Sequence, residues 1–232
     1  MCGRFAQASG PEAIAALFDL PADSVPPYKP RYNLAPTQPA LALRRHPKSD
    51  KKELTFLVWG LIPSWADDPS IGSRLINARA ETLAQKPAFR TAFRRRRCLV
   101  PADGFYEWKR AGKRKQPYFI ARKDGKPMAL AGLWEHWQSA DGSVVETFTL
   151  ITTEPNELVS KFHNRMPAIL PKEAFDLWLH SQTDRKTLQA LLSTPYPATW
   201  LTAWPVSPLV NHPANDDPSL IAPLPQLFSS DD

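Results

Sequence analysis

Cys2 stands directly after the initiator methionine. A small residue there permits removal of Met1, which leaves a thiol and a free α-amine on one residue. Such an amine has a pKa of about 8 and is roughly 10% neutral at pH 7, while a thiol of about 8.5 is a few per cent thiolate. An aldehyde meeting this 1,2-aminothiol forms a Schiff base with the amine, and thiol attack on the imine closes a five-membered thiazolidine. An interior cysteine or lysine offers only one of these steps. Position alone fits a merely tolerated small residue better, so Cys2 needs company before it carries a function.

Four other segments offer that company. In Pro101-Ala102-Asp103-Gly104-Phe105-Tyr106-Glu107-Trp108, strand alternation puts Glu107 on the face opposite Tyr106 and Trp108. That face is either solvent or a pocket; in a pocket, desolvation raises the carboxyl pKa and suits it to proton transfer. Phe162-His163-Asn164-Arg165-Met166-Pro167 places a histidine and an arginine in one loop, as a site would, although a lone surface histidine reads the same way. Asn77, in Ile76-Asn77-Ala78-Arg79-Ala80-Glu81, is either a site amide or a helix N-cap. In Trp59-Gly60-Leu61-Ile62-Pro63-Ser64-Trp65, Trp59 reads as core, and Trp65 as an exposed ring on which a base stacks for about 1–3 kcal/mol.

The elements that must hold these residues follow from local pattern. Ser9-Gly10-Pro11-Glu12 has the Ser-x-x-Glu form of a capping box and predicts a helix ending near Leu20-Pro21. Residues 21–39 hold six prolines and are expected to be irregular. Strands are predicted at Ala40–Arg45, Leu54–Gly60, Cys98–Val100, Phe105–Arg110, Tyr118–Arg122, Met128–Trp137 and Val144–Thr153. Gly112, Asp124-Gly125 and Asp141-Gly142 read as the turns of an antiparallel meander. Helices are predicted over 79–96, with a break at Pro87, and at Pro155–Phe162, Pro171–His180 and Asp184–Leu192. From about residue 195 a tail with eight prolines is expected to wrap the body in extended form. The economical expectation is one α+β domain over residues 1–232.

Composition narrows the class. The 232 residues are 43% hydrophobic and 22% charged, as in a globular protein with a sizeable core. No apolar run approaches a membrane span, and the first residues lack a secretory signal, so a cytoplasmic location is expected. Cys2 and Cys98 form neither a disulfide framework nor a CxxC pair, and the five histidines have no metal-ligand spacing. No metal or cofactor is expected. The net charge of +6 is uneven: residues 1–186 hold all 29 basic residues against 19 acidic ones, a local +10. Arg44-Arg45, Lys51-Lys52, Arg94 to Arg97 and Lys109 through Lys115 are the clusters. An anionic partner such as nucleic acid and a merely solvated basic surface both fit.

Taken in order, Met-Cys-Gly-Arg-Phe, Tyr32-Asn33-Leu34-Ala35-Pro36, WGLIPSW, INARAET, RCLVPADGFYEWK and HNRMP closely resemble the SOS-response-associated peptidase (SRAP) family. In the tail, Val206-Ser207, Asn211, Asn215-Asp216 and Leu220-Ile221-Ala222-Pro223 also fit, so the resemblance spans residues 2–223. It implies a single compact α+β domain with a β-rich antiparallel, barrel-like core flanked by short helices, and a basic DNA groove. It implies a DNA-repair protein, lyase- or peptidase-like, that senses abasic sites in single-stranded DNA and at single-strand/double-strand junctions. The expected product is a thiazolidine DNA–protein crosslink through Cys2 that shields the lesion during replication. A monomer with no membrane partner, nucleoid-associated when on DNA, is expected.

Residue by residue, Cys2 resembles the family's crosslinking residue and Asn77 its orienting amide. Glu107 resembles the proton-handling group, and His163 the acid/base that opens the deoxyribose ring. Arg4, Arg79 and Arg165 are similar to phosphate contacts, Asn33, Pro36 and Trp65 to groups lining the DNA path, and Thr152 to a further DNA contact. Two features depart from the pattern: Ala66 stands where some members have a second aromatic, and Asp67 to Arg74 is a longer segment. Three rival readings stay open: a true peptidase with Cys2 as nucleophile, an N-terminal-nucleophile glutamine amidotransferase, and a non-covalent single-stranded DNA binder.

Overall fold

The computed structural model describes residues 2–112 and 114–225; Met1, Lys113 and residues 226–232 lie outside the described residues. In chain order the elements are β1 (Phe5–Gln7), α1 (Pro11–Phe18), β2 (Arg31–Leu34), β3 (Pro39–Arg45), β4 (Lys52–Trp59), β5 (Asn77–Arg79), α2 (Arg90–Arg95), β6 (Arg97–Ala102), β7 (Gly104–Ala111), β8 (Arg114–Arg122), β9 (Met128–Gln138), β10 (Val144–Thr153), β11 (Met166–Pro167), β12 (Ile169–Leu170), α3 (Phe175–Leu179), α4 (Arg185–Ser193) and β13 (Leu201–Pro205). Every strand predicted from the sequence is present; most of these runs carry β-branched or aromatic residues, whereas Ala40–Arg45 opens as an alternation of Ala and Leu.

How the strands pair is another matter. β3, β4, β6, β9 and β10 close on themselves, through β3–β4, β4–β10, β10–β9, β9–β6 and β6–β3, into a five-stranded barrel. β13, β8, β7, β1 and β2 form a second, five-stranded sheet. The barrel wall alternates between two cores. Leu41, Leu43, Leu99, Ala131 and Leu133 pack with Ile14, Phe93, Trp178 and Leu188 of the four helices. Ala40, Ala42, Cys98, Val100 and Leu130 pack with Phe5, Phe105 and Ile120 of the second sheet. A wall covered on both faces explains the unbroken burial of β6. No helix among the described residues is long and apolar enough to cross a membrane.

Several local expectations are corrected. The predicted meander is split between the sheets: Asp124-Gly125 turns the chain from β8 to β9, which are not paired, and β10 runs parallel to β4 and β5. Ser9 is not a cap, since Gly10 occupies the N-cap of α1 while Ser9 bonds Asp103. Of the helix predicted over 79–96 only α2 forms, and residues 80–89 make successive turns. Pro155–Phe162 holds only a 3-10 turn at Val159–Lys161. Strand β2 interrupts the stretch read as irregular. The tail is not merely extended, because β13 pairs along β8 and 3-10 turns follow at Pro208–Asn211 and Pro218–Ile221.

The Arg94 to Arg97 run is not one surface feature. Arg94 and Arg95 are exposed, but Arg97 is buried and donates to the carbonyl oxygens of Phe93, Trp178 and His180. Burial pushes its guanidinium down to about 10.

Candidate functional site

Cys2 is buried where the barrel meets the second sheet, in one core cluster with Phe5, Trp59, Phe148 and Met166. Three strands converge on it. β1, three residues on, pairs with β7 through Phe5↔Phe105 and Ala6↔Gly104, and the Tyr106 amide donates to the Arg4 carbonyl at 3.0 Å. Gly104 permits this approach: a Cβ there would stand 2.4 Å from the Phe119 ring and 2.6 Å from the Ile120 carbonyl oxygen.

β7 carries Glu107 on the same face as Phe105, towards the barrel, while Tyr106 faces the tail. Glu107 is 3% exposed. Burial pushes its carboxyl up to about 7, and the positive charge at the chain's start opposes that rise. The Cys2 thiol is also pushed up, first by burial and then by the Glu107 charge. The thiol therefore lies within electrostatic reach of Glu107 and rests protonated.

β5 supplies Asn77, placed by parallel pairing with Leu150 of β10. Its Nδ2 donates to the Cys2 carbonyl oxygen at 2.9 Å. Its Oδ1 is buried and has no hydrogen-bond partner among the described residues. The approach to β5 is held by Trp59, whose Nε1 donates to the Ile76 carbonyl at 2.9 Å, and whose ring packs on Phe5 and Phe148. Gly60, at φ 126°, lies against Gly72, where a Cβ would come within 2.7 Å of the Gly72 oxygen. The Asp67 to Arg74 segment is thereby folded back as a 3-10 turn over Pro69–Arg74, capped by Asp68.

His163 follows the turn at Val159–Lys161 and is half-buried. Its Nδ1 accepts from the Arg165 amide at 2.9 Å, which leaves Nε2 to carry the proton of the neutral ring. Burial, then the charge at the chain's start, lowers its pKa, so the ring is neutral at pH 7.

The residues expected to contact DNA divide into two groups. Trp65 is 59% exposed on a loop held by Trp137 Nε1 donating to the Ala66 carbonyl at 2.7 Å. Arg79 is exposed, and Pro36 sits half-buried in the turn after β2. The others are occupied internally. Asn33 is buried and its amide donates to the carbonyls of Val210, His212 and Asn215. Arg4 donates to Asn33 Oδ1 at 2.8 Å and to the Val210 carbonyl at 2.7 Å. Thr152 is buried, and its carbonyl accepts from Arg165 Nη2 at 2.5 Å. Arg165 also makes a bidentate pair with Glu81, at 2.8 and 2.9 Å, which lowers the Glu81 pKa.

Glu81 and the tail anchors escaped sequence reasoning. Asp216 pairs with Arg31 and accepts from the amides of Tyr32 and Asn33, at 2.5 and 3.0 Å; Asn211 accepts from Trp108 Nε1 at 2.8 Å. The only signal was that these residues lie within quoted motifs. No group of three or more histidine, cysteine or acidic side chains suited to a metal occurs among the described residues.

The profile of the family described as SOS response associated peptidase (SRAP) matches residues 1–213. Abasic site processing protein YoqW of Bacillus subtilis is 46% identical over 226 residues, covering 95% of this chain and 99% of that protein. Abasic site processing protein YedK of Escherichia coli is 33% identical over 233 residues, covering 97% and 100%. Abasic site processing protein HMCES of Gallus gallus is 34% identical over 228 residues, covering 85% and 67%. A crystal structure of a protein from Bacteroides thetaiotaomicron superposes with a TM-score of 0.83 at 27% identity, covering 96% of this chain and all of the other.

Proposed function

The chain belongs to the SOS response associated peptidase family, and from that membership we propose that it processes abasic sites in DNA by a covalent adduct at Cys2. The observation that carries the reading is a buried carboxyl, Glu107, raised to about 7 beside a protonated thiol whose residue is held by Asn77. A surface carboxylate would be a poor acid near neutrality; this one both takes and returns a proton there.

The reaction needs Met1 removed, since only then is the nitrogen of Cys2 an amine. The abasic deoxyribose opens to the C1′ aldehyde as its C1′ hydroxyl proton passes through solvent to the ring oxygen, which accepts a hydrogen bond from His163 Nε2–H. The amine attacks C1′ and gives a carbinolamine. Glu107 returns a proton to its hydroxyl, and loss of one water leaves the imine. Cys2 Sγ then bonds to C1′ while its proton passes through Glu107 to the imine nitrogen, closing the thiazolidine. One water is released overall. A raised thiol pKa is consistent with a general base at this step, because free thiolate is scarce.

Arg4, Arg79 and Arg165 serve the phosphates, Asn33, Pro36 and Thr152 shape the path beside them, and Trp65 stacks on a base. Backbone contacts without base-edge readout recognise a lesion with little sequence preference. Single-stranded DNA and strand junctions are the substrates of this reading, with the protein acting as a monomer. Intact mass after incubation with an abasic single-stranded oligonucleotide tests it. The expected mass is protein without Met1 plus oligonucleotide less one water, mapping to the N-terminal peptide. An adduct elsewhere, or none after denaturation, sinks it. A peptidase would instead turn over peptides in a Cys2-dependent way.

A further inference from the structure

The barrel has two ends. Asn77 lies opposite Leu150 of β10, whereas Arg44 is paired with Glu146 four residues back along the same strand, about 13 Å away. At that far end, where β3 ends and β6 begins, two hollows of about 380 and 640 Å³ adjoin, sharing Arg95 and Ser181. Their walls are basic: Arg45, Arg95 and Arg96 line the first, Arg94, Arg95 and Arg185 the second.

Some of this charge is spent internally, as Arg45 pairs with Asp50 and Arg96 with Glu135. Yet Nε of both Arg45 and Arg96 is buried without a hydrogen-bond partner among the described residues. Arg94, Arg95 and Arg185 are exposed, and none of them forms an ion pair among the described residues. Behind them the buried Arg97 meets three carbonyls and no carboxylate among the described residues. Unspent donors and fixed positive charge around an open hollow suit oxyanions spaced along a chain.

We propose that this far end of the barrel is a second binding site, taking the sugar–phosphate backbone of a nucleic-acid strand away from the end that holds Cys2. The proposal rests on DNA being the partner, as inferred above. It assigns a role to part of the arginine run that the reaction leaves unused. Strands of about 4–16 nucleotides occupy single binding folds, so a strand leaving the Cys2 end has the length to reach it.

Charge reversal of the two exposed arginines, Arg95→Glu with Arg185→Glu, tests the site. Affinity for an undamaged 30-nucleotide single strand should fall about tenfold. The log–log salt slope should become shallower by about 1.4, the loss of two phosphate contacts. The milder pair Arg95→Gln with Arg185→Gln should move both readouts in the same direction if reversal prevents folding. Unchanged long-strand affinity and slope in the folded variants overturn the site. So does a response of the arginine Nε resonances to inorganic pyrophosphate but not to the 30-mer, which marks a pocket for small phosphates. If no Cys2 adduct forms but long-strand binding still depends on Arg95 and Arg185, the covalent function falls and this site stands.

Discussion

The side-chain amide of Asn77 donates to the carbonyl oxygen of Cys2 at 2.9 Å, across 75 residues of sequence. This bond fixes the backbone from which both reacting groups of Cys2 project. Asn77 is held in turn by pairing to Leu150 and by the Trp59 bond to Ile76.

Replacing Asn77 by Ala should therefore impair chemistry more than binding. The lost hydrogen bond costs about 1 kcal/mol of stability. Adduct formation should slow about tenfold, as a comparable loss of orientation implies, while affinity for undamaged DNA stays within twofold. Denaturing gels and fluorescence anisotropy separate the two. Parallel losses in both would mean general disturbance of the fold.

Removing the Cys2 thiol while keeping the amine separates the two covalent steps. Cys2→Ala should give no adduct that survives denaturation, yet borohydride should still trap its Schiff base, because the imine forms before sulfur acts. A stable untreated adduct equal to wild type would refute the thiazolidine.

Glu107→Gln should slow the adduct by about 10²–10⁴, the usual span for a positioned proton-transfer group. Wild-type rates should climb with pH through about 7 as Glu107 ionises. The variant should keep only the later rise of the amine, at about 8. Stability should move the other way. The folded pKa lies above the ordinary 4.5, so between 4.5 and about 7 the folded protein keeps a proton that the unfolded chain has lost. Stability therefore falls as pH rises across that window. Glu107→Gln, which carries no charge to bury, should raise neutral stability by up to about 3 kcal/mol. Identical melting profiles from pH 4.5 to 7 would contradict this.

Arg165 is tied to Glu81 by two bonds, and a phosphate would compete for the same guanidinium. Glu81→Ala should tighten binding to undamaged single strands by about threefold. Arg165→Ala should weaken it across all sequences and flatten the salt slope by about 0.7. A salt slope that Arg165→Ala leaves unchanged would confine this residue to structural pairing with Glu81 and the Thr152 carbonyl.

Strand positions were legible because β-propensity and turn residues act within a few neighbours. The same locality explains the errors. Residues 79–96 have helical composition, but Arg79 is drawn into β5 opposite Thr152 of β10 and residues 80–89 make turns, so backbone pairing at the start of the segment outweighs a weak local preference. Ser9 fits a capping box, yet Asp103 claims it. Arg97 looked like the end of a basic surface run and is buried under α3.

Cys2 shows where the boundary falls. Its place after Met1 follows from the sequence alone, and so does the chemistry open to an amine and a thiol on one residue. The face of Glu107 opposite Tyr106 and Trp108 was equally readable, since alternation is a property of any strand. Whether that face met water or a pocket depended on which strands closed over it. Pairing of β1 with β7, and of β5 with β10, decided this by bringing residues 2, 77 and 107 into one buried volume. Burial then raised the carboxyl towards neutrality, because desolvation penalises charge only once the surrounding chain has excluded water.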